Sequence, residues 1–257
     1  MAEIHPTALI NPKAELYDDV KIGPFTIVEA DVVVGKGTVI GSNVVIADGA
    51  RIGNDCKIFN GAVIATDPQD LKYKNEKTYI EIGDNTIVRE YCTLNRGTAD
   101  HLKTEIGKNC LLMAYVHVAH DCVIQDRVIL ANAVNMAGHI LIEEYVGVGG
   151  MDPIHQFVRI GKHAFVGGGY RVDKDIPPYI LAVGEPLTFG GLNSVGLRRR
   201  GFTPEVMSDL KKAYKLIYRS KLNTSQALTR IEEEMEMGPE VQHVVNFIRG
   251  SERGIIR

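Results

Sequence analysis

Large aliphatic residues recur at every sixth position along the first two thirds of the chain. The series runs from Ile4 to Val172, and only Asp70, Glu76 and Asp100 interrupt it. Two positions earlier the residue is usually small or β-branched, as at Val20, Val32, Val44, Ala50, Ala62, Val116, Val128 and Ala164. Gly often follows the large aliphatic residue. Neither a 3.6-residue helix nor a long alternating strand has this period.

A period of six residues is typical of short strands that end in tight turns, where Gly tolerates a positive φ. Three hexads close one triangular coil of about 18 residues, and successive coils stack as parallel strands about 4.8 Å apart. The pattern therefore predicts an all-β solenoid, the left-handed parallel β-helix of hexapeptide-repeat proteins, with the aliphatic column as its core. Its left-handed winding is an exception to the usual crossover rule.

The domain organisation follows from where the pattern is interrupted and where it ends. Residues 66–79 and 98–103 interrupt the hexads without changing their phase, which predicts two loops extruded from corners of a β-helix domain spanning residues 1–190. Residues 191–257 show helical spacing and are predicted to form a C-terminal α-helical domain. Three helices are expected there: one capped by Thr203-Pro204, one over Ser225–Met237 and one starting at Pro239.

Composition and charge narrow the possible functions. The formal net charge is −3 and the sequence pI about 6.2, so no basic field indicates a nucleic-acid partner. Residues 1–6 lack the basic and apolar regions of a signal peptide, and no apolar run is long enough for a transmembrane segment. We therefore expect a cytoplasmic protein. Trp is absent and aromatic residues make up only 7%, so the core must be aliphatic.

Four of the eight histidines are predicted to share one edge of the solenoid within about three coils, or roughly 10 Å: His117, His120, His139 and His155. Imidazole is suited to removing a hydroxyl proton near neutral pH. His120 is the candidate general base, because the adjacent Asp121 can orient it and support its protonated form. Gly138 is expected one coil above His120, where its backbone N–H is a candidate donor to an oxyanion.

A zinc site is the main alternative for these histidines, since β-helix carbonic anhydrases bind zinc through similar side chains. We favour a site without metal, because the chain also carries a C-terminal helical domain and loops with residues suited to sugars and phosphates. A purely structural β-helix is a third possibility. It would need neither histidines aligned by the coil period nor extruded loops beside them.

The four cysteines are expected to be structural. Cys56, Cys92 and Cys110 are spaced by multiples of about 18 residues, which predicts that they share one interior column. Cys122 takes the same hexad position on another face. We expect small buried hydrophobic side chains, not disulfides or metal ligands.

A run of arginines, Arg198-Arg199-Arg200, lies where the hexads give way to helices. Such a cluster is suited to a diphosphate, because guanidinium groups bind phosphate oxygens in pairs. A solvated face or ion pairs between subunits would explain it equally well.

Several motifs resemble those of the bacterial acyl-[acyl-carrier-protein]–UDP-N-acetylglucosamine O-acyltransferases, over essentially the whole chain. The most specific are His117-Val118-Ala119-His120-Asp121-Cys122, Ala137-Gly138-His139 and His155-Gln156-Phe157. Others are Gln69-Asp70-Leu71-Lys72-Tyr73, Asn95-Arg96-Gly97-Thr98, Asp175-Ile176-Pro177-Pro178-Tyr179, Arg199-Arg200-Gly201-Phe202 and the segment Ala213–Arg219. The chain departs from the usual pattern at Asp152-Pro153 and at Asn95, which concerns substrate details and not the reaction class.

The resemblance implies a homotrimer without a cofactor, with sites in clefts between neighbouring β-helices. It implies transfer of an R-3-hydroxyacyl group from acyl carrier protein to the 3-position of the glucosamine unit of a UDP-amino sugar, the first step of lipid A synthesis. His120 would be the general base, Asp121 its partner and Gly138 the oxyanion donor. The residues implied to contact substrate are Asp70, Lys72, His117, His139, His155, Gln156, Gly168, Asn193, Arg199 and Arg200. Among these, Gly168 matches the position that limits acyl length, and the last three would hold the diphosphate.

The nearest alternative activity is that of the later N-acyltransferase of the same pathway. That family usually carries an additional N-terminal uridine-binding domain. The hexads of this chain begin at Ile4, so we expect no such domain here. The sequence leaves open the preferred acyl length, and whether the acceptor carries a 3-hydroxyl or a 3-amino group.

Overall fold

A computed structural model describes all 257 residues, which form 27 strands and four helices. All 27 strands belong to three long sheets, named here A, B and C. Sheet A contains β1 (Glu3–Ile4), β4 (Lys21–Ile22), β7 (Val39–Ile40), β10 (Lys57–Ile58), β13 (Ile87–Val88), β16 (Leu111–Leu112), β19 (Ile129–Leu130), β22 (Gly147–Val148), β25 (Phe165–Val166), β26 (Ile180–Val183) and β27 (Thr188–Leu192). Sheet B contains β2 (Leu9–Ile10), β5 (Ile27–Val28), β8 (Val45–Ile46), β11 (Val63–Thr66), β14 (Thr93–Asn95), β17 (His117–Val118), β20 (Asn135–Met136) and β23 (Pro153–Ile154). Sheet C contains β3 (Glu15–Leu16), β6 (Val33–Val34), β9 (Ala50–Ile52), β12 (Tyr79–Ile82), β15 (Lys103–Ile106), β18 (Val123–Ile124), β21 (Leu141–Ile142) and β24 (Arg159–Ile160).

The chain passes from sheet A to B to C and then returns to A one coil higher, so every strand pair within the coils is parallel. This is the predicted left-handed parallel β-helix. The second residue of almost every two-residue strand is the hexad aliphatic, and from Ile22 to Val166 these side chains are buried in one continuous core. The first residue points outward. The six-residue period therefore fixes both the strands and the core.

Two excursions interrupt the coils, and both leave from the corner between sheets B and C. The first connects β11 to β12 through residues 67–78, and the second connects β14 to β15 through residues 96–102. In sheet B, Val45 pairs with Val63, which lies one regular coil further along the chain. The next two pairs, Val63 with Thr93 and Thr93 with His117, are separated by more residues than one regular coil contains. The excursions thus lengthen two coils by whole hexads, which is why the hexad phase is the same before and after each predicted loop.

The prediction that Cys56, Cys92 and Cys110 share one interior column was wrong, because it assumed that every coil has the regular length. In sheet A, Lys57 pairs with Ile87 and Ile87 with Leu111, so Cys56 aligns with Thr86 and Cys110. Cys92 lies instead in the sheet B column. All four thiols are free and buried, as expected, and burial raises the pKa of the Cys92 and Cys110 thiols to about 11.

Four helices follow the β-helix: α1 (Ser194–Arg199), α2 (Pro204–Arg219), α3 (Thr224–Glu234) and α4 (Pro239–Arg249). Thr203 caps α2 and Pro239 starts α4, as predicted. Helix α3 begins and ends earlier than predicted, because Asn223 forms a capping box and Met235 is already extended. The short α1 was not predicted. No helix has both the length and the apolar character needed to cross a membrane.

Candidate active site

The B–C corner of successive coils carries most of the predicted catalytic residues. Going up the solenoid, this corner holds the two excursions, then His120-Asp121, then Gly138-His139, then Gln156-Phe157. Each pair is the turn between a sheet B strand and a sheet C strand. Because these turns are stacked by backbone hydrogen bonds, such as His139 N–H to the His120 carbonyl at 3.1 Å, the side chains form a short ladder.

His120 and Asp121 form a buried hydrogen-bonded pair. His120 Nδ1 lies 2.8 Å from Asp121 Oδ2. The carboxylate also accepts hydrogen bonds from the Thr98 N–H at 2.8 Å and the Thr98 hydroxyl at 2.7 Å. Burial acts to raise the pKa of Asp121, but these bonds and the nearby His139 outweigh it and lower the pKa to about 2. Asp121 is therefore ionised, so His120 Nδ1 must be the donor, and in the neutral imidazole Nε2 then carries the free lone pair.

Gly138 lies directly over the His120 ring. A Cβ atom at this position would be 2.6 Å from His120 Cε1 and 2.8 Å from Nε2, so only Gly leaves room for the imidazole. The Gly138 N–H donates no hydrogen bond within the chain, whereas its carbonyl accepts one from Phe157. The His120 Nε2 also has no hydrogen-bond partner. A free imidazole nitrogen next to a glycine whose N–H is unused is the arrangement expected of a general base with an oxyanion donor.

His139 packs against the pair from the next coil. Its Nε2 lies 3.7 Å from Asp121 Oδ2, and its ring meets the His120 ring edge-on with centroids 5.1 Å apart. Phe157 stacks on its other face at 4.7 Å. Burial, in spite of the attraction of Asp121, lowers the pKa of His139, which favours the neutral imidazole.

The remaining two histidines flank this ladder. His117 is half-buried in β17, with Nδ1 2.8 Å from the Thr93 hydroxyl, and burial lowers its pKa. His155 is exposed just after β23, and its Nδ1 lies 3.1 Å from the Gln156 carbonyl, to which it can donate. All four histidines thus lie on or beside one corner in three consecutive coils.

The first excursion carries Asp70 and Lys72 below the ladder. Asp70 Oδ1 accepts a hydrogen bond from the Lys72 N–H at 2.9 Å, so the carboxylate shapes its own loop. Arg96 ties this loop to the β-helix: it donates to the Tyr73 hydroxyl at 2.8 Å and pairs with Asp67. The Asn95 amide adds a bond to the Asp67 carbonyl at 3.1 Å.

Relatives that match this chain over its full length share one name. An O-acyltransferase from Thiobacillus denitrificans, named acyl-[acyl-carrier-protein]–UDP-N-acetylglucosamine O-acyltransferase, is 49% identical over 258 residues, covering 100% of both chains. One from Burkholderia mallei is 49% identical over 262 residues, again with full coverage. The chain belongs to this family. Its residues 175–256 also match the model of domain 2 of UDP-N-acetylglucosamine O-acyltransferase, and residues 31–66 and 103–138 match the bacterial transferase hexapeptide model.

Solved structures support the same family assignment. The UDP-N-acetylglucosamine acyltransferase from Bacteroides fragilis superimposes with a TM-score of 0.97 at 48% identity, covering 98% of this chain and 99% of the other. The enzyme from Acinetobacter baumannii gives a TM-score of 0.96 at 43% identity, with 99% of each chain covered. Both the β-helix and the helical domain therefore follow the O-acyltransferase architecture.

Not every predicted O-acyltransferase residue lies at the B–C corner. Gly168 is exposed in the turn after β25, at the corner between sheets A and B. Asn193 caps α1 and donates to the His163 carbonyl at 3.0 Å, at the corner between sheets C and A. Arg200 lies near the same corner, with its guanidinium 5.0 Å from the Tyr145 ring centroid. Arg199 is exposed on α1. Within one chain, the predicted site residues therefore lie at three different corners of the solenoid: B–C, A–B and C–A.

Sequence reasoning missed two residues that contact the candidate site. Thr98 holds the Asp121 carboxylate, and His101 meets the His139 ring edge-on at 5.5 Å. Both belong to the second excursion, where no periodicity predicts side-chain positions. The available signal was the interruption itself, since residues 98–103 leave and rejoin the solenoid directly below His120-Asp121.

Proposed function

We propose that this protein transfers an R-3-hydroxyacyl group from acyl carrier protein to the 3-position of the glucosamine unit of UDP-N-acetylglucosamine, the first step of lipid A synthesis. The observation that carries the proposal is the buried His120–Asp121 pair, whose free Nε2 lies beside the unused N–H of Gly138. Family membership gives the substrate classes, because the relatives are named for acyl-[acyl-carrier-protein] and UDP-N-acetylglucosamine.

The geometry supports a direct acyl transfer. His120 Nε2 accepts the proton of the acceptor hydroxyl as its oxygen attacks the thioester carbonyl carbon, and Asp121 stabilises the imidazolium through Nδ1–H. The Gly138 N–H stabilises the negative charge on the carbonyl oxygen. Collapse of the tetrahedral intermediate forms the ester and breaks the C–S bond, and the His120 proton passes to the departing thiolate.

The spread of site residues over three corners supports a homotrimer. One side of the solenoid is a run of about six residues, so neighbouring corners lie roughly 20 Å apart. His120 at one corner, Gly168 at the second and Arg200 at the third cannot line one small-molecule site in a single chain. If copies of the chain pack side by side, one copy's B–C corner can face another corner of its neighbour. The residues of the neighbouring copy that contact the acyl chain and the nucleotide would then complete the site.

The zinc alternative is less well supported by the same residues. Ligand atoms of His120, Asp121 and His139 do lie within 4.8 Å of one another. However, Asp121 already accepts three hydrogen bonds, two from Thr98 and one from His120, which leaves little capacity for a cation. The N-acyltransferase alternative is also disfavoured, because the full-length relatives are O-acyltransferases.

The decisive experiment assays purified protein with a panel of acyl-carrier-protein thioesters and with UDP-N-acetylglucosamine and its 3-amino analogue. We expect His120→Ala to lower kcat by about 10²–10⁴-fold, the usual contribution of a positioned base. His155→Ala, at an exposed histidine of the same corner, should retain more activity. Light scattering should show a trimer for all variants, and chelators should have no effect. A fully active monomer, or a His120→Ala variant with more than about a tenth of wild-type kcat, would contradict the mechanism.

A further inference from the structure

The second excursion, together with strand β15 that follows it, is hydrogen-bonded to Asp121. At its start, Thr98 donates to the carboxylate through the N–H at 2.8 Å and through the hydroxyl at 2.7 Å. In β15, the Thr104 hydroxyl accepts the Asp121 N–H at 2.9 Å. Thr98 and Thr104 are both buried. The excursion and β15 therefore give Asp121 fixed partners in addition to His120.

These partners meet a specific need of Asp121. The residue is 1% exposed, so its carboxylate has lost its water and needs several donors. His120 Nδ1 and the Thr98 hydroxyl share Oδ2, while the Thr98 N–H is the donor to Oδ1. Without the Thr98 hydroxyl, the one remaining hydrogen bond to Oδ2 would be that of His120, since His139 Nε2 lies 3.7 Å away.

We propose that Thr98 is a positioning residue for acyl transfer, which fixes the Asp121 carboxylate so that Oδ2 orients the His120 ring. This proposal rests on the function proposed above, in which His120 is the base. The shared Oδ2 also gives Thr98 an electrostatic role. A hydroxyl donating to Oδ2 withdraws charge from the atom that stabilises the His120 imidazolium, and so keeps the imidazole available as a base.

Few other titratable groups face this pair. His139 approaches Asp121 from the next coil, and Asp100 and His101 of the excursion reach it only through His139. No Lys or Arg side chain hydrogen-bonds to or pairs with Asp121 within the chain. Removal of the Thr98 hydroxyl should therefore directly change the interaction of Asp121 with His120.

The test compares Thr98→Val, which keeps the shape but removes the hydroxyl, with Thr98→Ser, which retains it. In Thr98→Val we expect kcat to fall about tenfold, comparable to the loss of one hydrogen bond to a charged group, with little change in KM. The acid limb of the pH–kcat profile should move to higher pH, because Oδ2 then holds the imidazolium more strongly. Thr98→Ser should restore both properties. Thr38→Val is the matched control, since Thr38 is a buried threonine with two hydrogen bonds remote from the site.

A second readout separates this proposal from the proposed function. The pH dependence of diethyl pyrocarbonate modification at His120, followed by peptide mass spectrometry, reports the imidazole without any acyl transfer. If the wild type transfers no acyl group, the proposed function fails, yet the Thr98→Val shift in modification can still be measured. Unchanged pH profiles for both kcat and modification in Thr98→Val would overturn the positioning role. If Thr98→Val and Thr98→Ala both fail to fold while Thr38→Val folds, Thr98 is structural and the proposal is wrong.

Discussion

Gly138→Ala is the smallest change that should disable the site without removing any functional group. The alanine Cβ would be built 2.6 Å from His120 Cε1, 2.8 Å from Nε2 and 3.0 Å from Nδ1. Ordinary contacts between carbon atoms are about 3.5–4.0 Å. Gly138 does not lie in the left-handed region, so its backbone tolerates alanine and the conflict is with the imidazole alone. The Gly138 N–H is retained.

The magnitude follows from the displacement that relieves this conflict. The His120 ring has to move by about 1 Å to reach a normal contact distance. That movement lengthens or breaks the 2.8 Å bond to Asp121 and takes Nε2 away from the acceptor hydroxyl. A misplacement of about 1 Å can cost roughly 10²-fold in rate. We therefore expect kcat of Gly138→Ala to fall by about 10²-fold, with KM for the UDP-sugar changed much less.

The assay is steady-state acyl transfer, with thermal denaturation and light scattering to confirm a folded oligomer. Gly238→Ala is a suitable control, because Gly238 has an ordinary φ of −62° and nothing within 4 Å of an added Cβ. A double variant sharpens the test. In a His120→Ala background the clash is gone, so Gly138→Ala should cost little more. Wild-type kcat in the single variant, or an equal further loss in the double variant, would refute the steric argument.

Three further predictions concern other corners of the solenoid. Burial raises the pKa of Asp152 to about 6, and the buried Asp152 Oδ2 has no hydrogen-bond partner. The folded state therefore favours the neutral carboxyl group, whose contribution to the free energy of unfolding is full below about pH 4 and is lost as the pH rises through 6. Asp152→Asn should therefore raise Tm more at pH 8 than at pH 5, and an equal change at both pH values would contradict this. Arg199→Ala should raise KM for the UDP-sugar and spare kcat, as expected of a phosphate contact made equally in ground and transition states; an unchanged KM would argue against the contact. Gly168→Met should favour shorter donors, by about 0.8 kcal/mol or roughly fourfold per methylene excluded, in a chain-length panel; an unaltered profile would show that the acyl groove ends elsewhere.

The hexad pattern was sufficient to predict the coils, because one position decides both burial and strand. Ile22, Ile40 and Ile58 follow the pattern in sequence and stack in register in sheet A. The helices were predicted less well. Thr203 and Pro239 are unambiguous start signals, but the end of α3 depends on Met235 adopting an extended conformation, which no nearby residue specifies.

The coil-level alignment could be predicted within the regular coils on either side of the excursions, but not across them. Above the second excursion, His117 pairs with Asn135, and the turn of Gly138 lies over that of His120, as the regular coil requires. Across the excursions, the lengthened coils shift the residue count while leaving the hexad phase intact, which is why Cys92 was assigned to the wrong face. The excursions also contain Thr98 and His101, whose contacts arise from the folded path of the loop and not from a repeat.

The proposed catalytic residues occupy turn positions that the fold itself favours. The second residue of most turns has a positive φ, and in ordinary coils it is often Asn or Asp, as at Asn43, Asp55, Asn85 and Asn109. Asp121 and His139 occupy the same position with φ of 58° and 59°. Asp, Asn and His are the side chains most tolerant of this conformation. A carboxylate and an imidazole could therefore be placed there at little cost to the solenoid, while the preceding turn position supplies His120 in one coil and the space of Gly138 in the next.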